Sequence, residues 1–143
     1  MEDRDIILQV KDLHKDYPVM QGLIFQKEIG KVRAVNHISF DLYRGETLGV
    51  IGESGCGKTS LSRAVMGLED ATSGSVTFMG SQVRRKMSSQ LRRHIQMVFQ
   101  DPYSSLDPRM SVKRILEEPL RIHSKMGSKE KREKVLPLLE QVG

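Results

Sequence analysis

One cysteine among 143 residues leaves no partner for an internal disulfide, and a lone thiol, Cys56, suits a reducing compartment. Apolar runs are short. None approaches the ~20 residues that a membrane-spanning helix needs, and no charged-then-apolar leader opens the chain. The expectation is a soluble chain that faces the cytoplasm if it meets a membrane at all. The four histidines, His14, His37, His94 and His123, have no partner three or four residues away, which argues against a metal site of their own. No pattern resembles a nucleophile beside its base, and there is neither an internal repeat nor a low-complexity tract. Aromatic residues make up 5%, and none interleaves with the densest basic run, Arg84-Arg85-Lys86 with Arg92-Arg93. That run reads as a solvated face, and no nucleic-acid partner is expected.

What is present has room for one core, with 38% hydrophobic residues. The net charge of +5 is spread along the chain and discriminates little between acidic lipid, nucleic acid and a polyanionic nucleotide. The informative stretch is Gly52-Glu53-Ser54-Gly55-Cys56-Gly57-Lys58-Thr59-Ser60, which fits G-x-x-x-x-G-K-[ST] at every fixed position. Leu48-Gly49-Val50-Ile51 before it reads as a buried strand, and Leu61, Ala64, Val65 and Leu68 after it recur at helical spacing. The glycines let the backbone turn tightly and aim successive N–H groups at an anion, and a helix starting near Lys58 adds its positive end. Lys58 is placed to reach the β- and γ-phosphates as a point charge, and Thr59 offers a hydroxyl to Mg²⁺. Ser60 has no assigned part. Cys56 reads either as a small tolerated position or as a thiol activated near the helix N-terminus.

Taken in order, Ile6, Leu8 and Val10 alternate with Ile7, Gln9 and Lys11 as in a half-buried strand that Pro18 stops. Tyr17 at its end is either a platform for a base, worth about 1–3 kcal/mol by stacking, or an ordinary strand-end tyrosine. Residues Val19 to Lys31, with Leu23-Ile24-Phe25 between Gly22 and Gly30, look like a long hairpin loop. Val32, Ala34, Ile38, Phe40 and Leu42 then lie on one face of a second strand, giving an antiparallel pair ahead of the phosphate loop. Ala71 to Gly74 reads as a turn, Ser75 to Met79 as a strand, Ser88 or Ser89 as the cap of a brief helix, and His94 to Phe99 as a further buried strand. Val112, Ile115 and Leu116 mark a helix that Pro119 kinks or ends. Lys129 to Val142 reads as an amphipathic helix carrying Val135, Leu138, Leu139 and Val142, with Pro137 awkward inside it.

These residues together resemble the N-terminal part of an ABC transporter ATPase, more narrowly the ATP-binding subunits of oligopeptide and dipeptide importers. The likeness covers nearly the whole chain. It is carried by the phosphate loop Gly52 to Thr59, by Gln100-Asp101-Pro102-Tyr103-Ser104-Ser105-Leu106-Asp107-Pro108-Arg109-Met110, and by Glu118-Pro119-Leu120-Arg121-Ile122-His123. The resemblance implies an α/β P-loop NTPase core with an N-terminal antiparallel β subdomain over 1–100. It implies the Q-loop and the start of a helical subdomain over 101–143, the whole being truncated. It makes Tyr17 the aromatic that stacks on adenine and Gln100 the glutamine that contacts Mg²⁺ and the attacking water, with Lys58 and Gln100 the catalytic pair and Thr59 and Gln100 on the metal. The cofactors implied are ATP and Mg²⁺. The partners implied are membrane permease subunits, a second ATP-binding subunit and, indirectly, a solute-binding protein, at the cytoplasmic face of the inner membrane.

The family's LSGGQ-type signature, its apolar run ending in Asp-Glu and its switch histidine do not occur in these 143 residues. The resemblance therefore implies weak hydrolysis by this chain alone, marginal stability, and an open edge on the Leu48–Ile51 strand. The alternative to an importer ATPase is a fragment that binds nucleotide, or docks on a permease, without turnover. A small GTPase fits less well, since N-K-x-D is absent. Replacing Lys58 with alanine is expected to weaken nucleotide binding by roughly 1.5–3 kcal/mol, the worth of a hydrogen bond to a charged group. An unchanged titration curve for Lys58→Ala would count against the loop assignment.

Overall fold

The computed structural model describes residues 5–22, 27–101 and 105–142. It divides into two compact units, Met1–Ile95 and Gln96–Gly143. The first is built on a four-stranded antiparallel sheet in the order β2-β1-β3-β4, from β1 (Ile6–Gln21), β2 (Lys27–Tyr43), β3 (Ser73–Phe78) and β4 (Ser81–Gln82). Helix α1 (Lys58–Val65) and the short α2 (Ser89–Arg92) complete it. Leu61 and Ala64, one helical turn apart on α1, join Leu8, Val10, Leu13, Val35 and Val76 in one buried cluster.

Alternation puts Leu8 and Val10 on the core face of β1, and on that rhythm Asp12 would come next. It does not, because β1 bulges: Val10 pairs with Phe40, and Leu13 with Ile38, three residues against two. Asp12 takes the left-handed conformation (φ 49°), and the phase shifts by one so that Leu13 is wholly buried at 0% exposure. Left-handed backbone costs a non-glycine residue about 1–2 kcal/mol. Burying a leucine returns about 1.5–3 kcal/mol, so the bulge is favoured. A matching bulge at His37 (φ 53°) lies between the pairs Leu13–Ile38 and Lys15–Val35. The bulges brace one another, since His37 Nδ1 is 2.7 Å from Asp12 Oδ1 and the His14 and His37 rings stack at 4.8 Å.

The second bulge corrects the expected face of β2. Val35 is buried at 4% exposure and Val32 is exposed, because the inserted residue flips the inward set upstream of it, whereas Ile38, in phase with Phe40 and Leu42 and paired to Leu13, is partly exposed on the core side. Pro18 does not stop β1, which runs on to Gln21. Past His14 the strand has no β3 neighbour, and a residue without an N–H is tolerated at such an edge. The expected 19–31 loop is therefore mostly ladder, with Val19 paired to Gly30 and Gln21 to Lys27, while Leu23, Ile24 and Phe25 lie outside the described residues.

Ser73 and Gly74, read as turn residues, open β3 instead. Gly74 (φ 85°) comes so close to the first bulge that an added Cβ would overlap the Asp12 carbonyl. Two expected strands are not formed. Leu48–Ile51 and His94–Phe99 have no strand neighbour among the described residues, and a strand without a ladder leaves its N–H and C=O groups to water. Ile51 is 97% and Val98 96% exposed.

The second unit holds α3 (Val112–His123) and α4 (Ser128–Val142), which pack on one another. Ser111 caps α3 by accepting from the Arg114 N–H at 3.4 Å, as Ser88 caps α2 by accepting from Leu91 at 3.2 Å. Pro119 neither ends nor interrupts α3, which continues to His123, and α4 likewise runs through Pro137. Of the apolar set expected on α4, Val135 is buried and Leu138 is exposed.

Gly74→Ala is expected to destabilise the fold by on the order of 3 kcal/mol, from left-handed strain plus the overlap with Asp12. Gly45→Ala carries a positive φ but meets nothing within 4 Å, so only about 1–2 kcal/mol is expected. Urea unfolding of the two variants checks this; equal losses would mean that the close approach at Gly74 contributes nothing.

Candidate functional site

The phosphate loop closes through two glycines in left-handed backbone, Gly55 (φ 80°) and Gly57 (φ 97°), with the Cys56 N–H donating back to the Glu53 carbonyl at 3.3 Å. Gly57 is the N-cap of α1, and any side chain there would overlap the Ala34 carbonyl of β2, so the loop lies directly on the sheet. Cys56 is exposed, with Sγ where a Cβ on Gly52 would sit. Glu53, Ser54 and Gly55 are exposed around the bend.

Lys58 turns back into this loop. Its ammonium donates to the Gly52 carbonyl at 2.7 Å and to the Glu53 carbonyl at 2.6 Å, and lies 3.6 Å from Cys56 Sγ. No acidic residue occupies the first turn of α1, and no side chain caps it. A positive charge and the positive end of a helix therefore share one place where, among the described residues, the ammonium's partners are two carbonyls and a sulfur, which is an environment for an anion. Thr59 is exposed and Ser60 half-buried on the same first turn.

Tyr17 is brought to this helix from β1. Its phenol donates to Glu69 Oε2 and lies 3.4 Å from Ser60 Oγ. Glu69 also accepts from Arg63 Nη1 at 3.2 Å, and Lys15 Nζ lies 5.0 Å from the centre of the Tyr17 ring while donating to the Asp70 carbonyl at 2.6 Å. The bond to the Glu69 carboxylate raises the Tyr17 phenol above its ordinary 10.0, with the Ser60 contact working the other way. The same bond, helped by Arg63 and Lys15 and opposed by desolvation, holds Glu69 below its ordinary 4.5.

Tyr17 and Gly52 to Ser60 thus gather in the first unit. Gln100 does not join them in one unit: it is an exposed bend residue of the second, so Thr59 and Gln100, paired on the metal by resemblance, stand on separate units. Sequence reading missed Glu69, Arg63 and Lys15. Glu69 lies 52 residues from Tyr17, and no local pattern links an acidic residue after a helix to a strand that far upstream.

Residues 35–143 match the ABC transporter family. The chain is 41% identical to the oligopeptide transport ATP-binding protein AppF of Bacillus subtilis, over 99% of this chain and 44% of that protein. It is 45% identical to the di/tripeptide transport ATP-binding protein DppF of Pseudomonas aeruginosa, over 97% of this chain and 43% of that one. It therefore spans less than half the length of these curated relatives. Among solved structures it is similar to the ATP-binding cassette MJ0796 in a dimeric post-hydrolysis state bound to ADP and Pi, with a TM-score of 0.72 at 21% identity, over 93% of this chain and 56% of that. It is also similar to cbiO1 of Clostridium perfringens, with a TM-score of 0.67 at 26% identity, over 95% of this chain and 50% of that. The fold is that of an α/β ATP-binding cassette.

Because Glu69 is held below its ordinary value in the fold, its contribution to stability is present above pH 4.5 and is lost as pH falls through the lowered value. The thermal midpoint of the unaltered chain is expected to drop more steeply below pH 4.5 than that of Glu69→Gln, which has no charge to lose. Parallel melting curves for the two across that range would remove the Tyr17–Glu69 bond from the account.

Proposed function

The chain belongs to the ABC transporter family, and from that premise we propose that it is the nucleotide-gripping part of an importer's ATP-binding subunit. The observation that carries this is the Lys58 ammonium seated inside the glycine loop at the head of α1, with Tyr17 tied to the same helix. In this reading Gly52 to Thr59 wrap a triphosphate with backbone amides, and Lys58 balances its charge. Thr59 offers its hydroxyl to Mg²⁺, and Tyr17 stacks on the adenine. Bound Mg-ATP supplies the phosphoryl chemistry. By resemblance, Gln100 would serve the metal and the attacking water, and 101–143 would begin a helical subdomain that touches the permease.

Peptide uptake is favoured by the named relatives, which are oligopeptide and dipeptide transport ATP-binding proteins. The subunit would then work at the cytoplasmic membrane face with permease subunits and a second ATP-binding subunit, and indirectly with a solute-binding protein. Among the described residues no helix is long and apolar enough to cross a membrane. Hydrolysis calls for carboxylates that orient metal and water, and these 143 residues contain no apolar run ending in Asp-Glu. That favours binding without turnover when these 143 residues act alone.

Mg-ATP is expected to raise the melting temperature of the chain, since ligand at 100 times its dissociation constant adds about 2.7 kcal/mol. Phosphate release should stay at the level of the buffer control. Absence of any melting shift overturns the nucleotide reading; steady turnover like that of a full-length relative overturns only the binding-without-turnover part.

A further inference from the structure

We propose that Glu69 is a positioning residue for the nucleotide base: it holds the Tyr17 phenol so that one face of the ring is presented to an adenine-type base, fixed relative to the phosphate-binding helix. The inference rests on the nucleotide reading of the same site and adds a residue to it.

Tyr17 stands on the stretch of β1 that pairs only with β2, opposite Val32, beyond the last β3 partner at His14. No strand on its other side holds the ring, so its direction depends on what the side chain touches. The phenol has one proton, and it goes to Glu69 Oε2. The other carboxylate oxygen is engaged by Arg63 of α1 at 3.2 Å, and Ser60, also of α1, lies 3.4 Å from the phenol oxygen. Both belong to the helix that begins with Lys58, so the ring and the ammonium share one rigid reference.

The ring also has a used face. Lys15 Nζ lies over it at 5.0 Å from the centroid and is kept there by the Asp70 carbonyl at 2.6 Å and by Glu69 Oε2 at 4.0 Å. A base can stack only on the opposite face. Glu69 anchors both constraints, the end of the ring and the cation behind it. Without it the ring must be ordered each time a base arrives, which costs affinity for the base and none for the phosphates.

The test compares Mg-ATP with Mg-tripolyphosphate, which has the phosphates and no base, by calorimetric titration of the full 143-residue chain. Glu69→Ala is expected to bind Mg-ATP about three- to tenfold more weakly and tripolyphosphate as before. Glu69→Gln, whose amide oxygen still accepts the phenol proton, should recover most of the loss. The chain has no tryptophan and three tyrosines, so ultraviolet phenolate absorbance reads tyrosine alone. One tyrosine should ionise at lower pH in Glu69→Ala than in the unaltered chain. Unchanged Mg-ATP affinity, or equal loss for both ligands, overturns the proposal. If Glu69→Ala does not fold, Tyr17→Phe keeps the ring and removes the bond; it should show the same loss for Mg-ATP, and full affinity there overturns the proposal as well. An unaltered chain that binds neither ligand overturns the nucleotide reading itself, and one that binds both equally shows that no base is recognised.

Discussion

Everything in the first unit is referred to the hydrogen-bond ladders along β1. On one edge the strand meets β2 over its whole length, and on the other it meets β3 only from Leu8 to His14. Where both ladders are present, side chains such as Val10 and Leu13 fill the core. Where β3 stops, Tyr17 turns to Ser60 of α1, and Tyr17 and Lys15 both turn to Glu69 beyond that helix. One strand thus serves packing and recognition in succession, and the braced bulges at Asp12 and His37 mark the change.

The site separates two electrostatic tasks. Around Lys58 a positive charge is met, among the described residues, by two carbonyl dipoles and the Cys56 sulfur, with no carboxylate hydrogen-bonded to it. Around Glu69 two cations, Lys15 and Arg63, meet a single carboxylate, with a neutral phenol between. Such partly exposed pairs are individually weak and screened by salt. Their value here is directional: they orient the Tyr17 ring.

How much of this was legible follows from how local each signal is. The glycine and lysine spacing of 52–59 is a contiguous pattern, and the start of α1 at Lys58 agrees with it, as the cap on α2 agrees with the local reading of Ser88 or Ser89. Alternation in β1 and β2 was legible too, up to the bulges. A single inserted residue leaves no trace in composition, and that is why Val32 was expected inside and Val35 was not. Pro18 misled because a breaker rule is local whereas an edge position is tertiary. Leu48–Ile51 and His94–Phe99 have the apolar content of buried strands, but content supplies no neighbour. Glu69 was invisible for the same reason: its meaning comes from a strand 52 residues away.

The bare segments around Ile51 and Val98 carry a further consequence. Solvated apolar backbone with unused amides and carbonyls is what holdase chaperones and quality-control proteases recognise in a cell. A strand added beside either stretch would satisfy those groups and cover those side chains together.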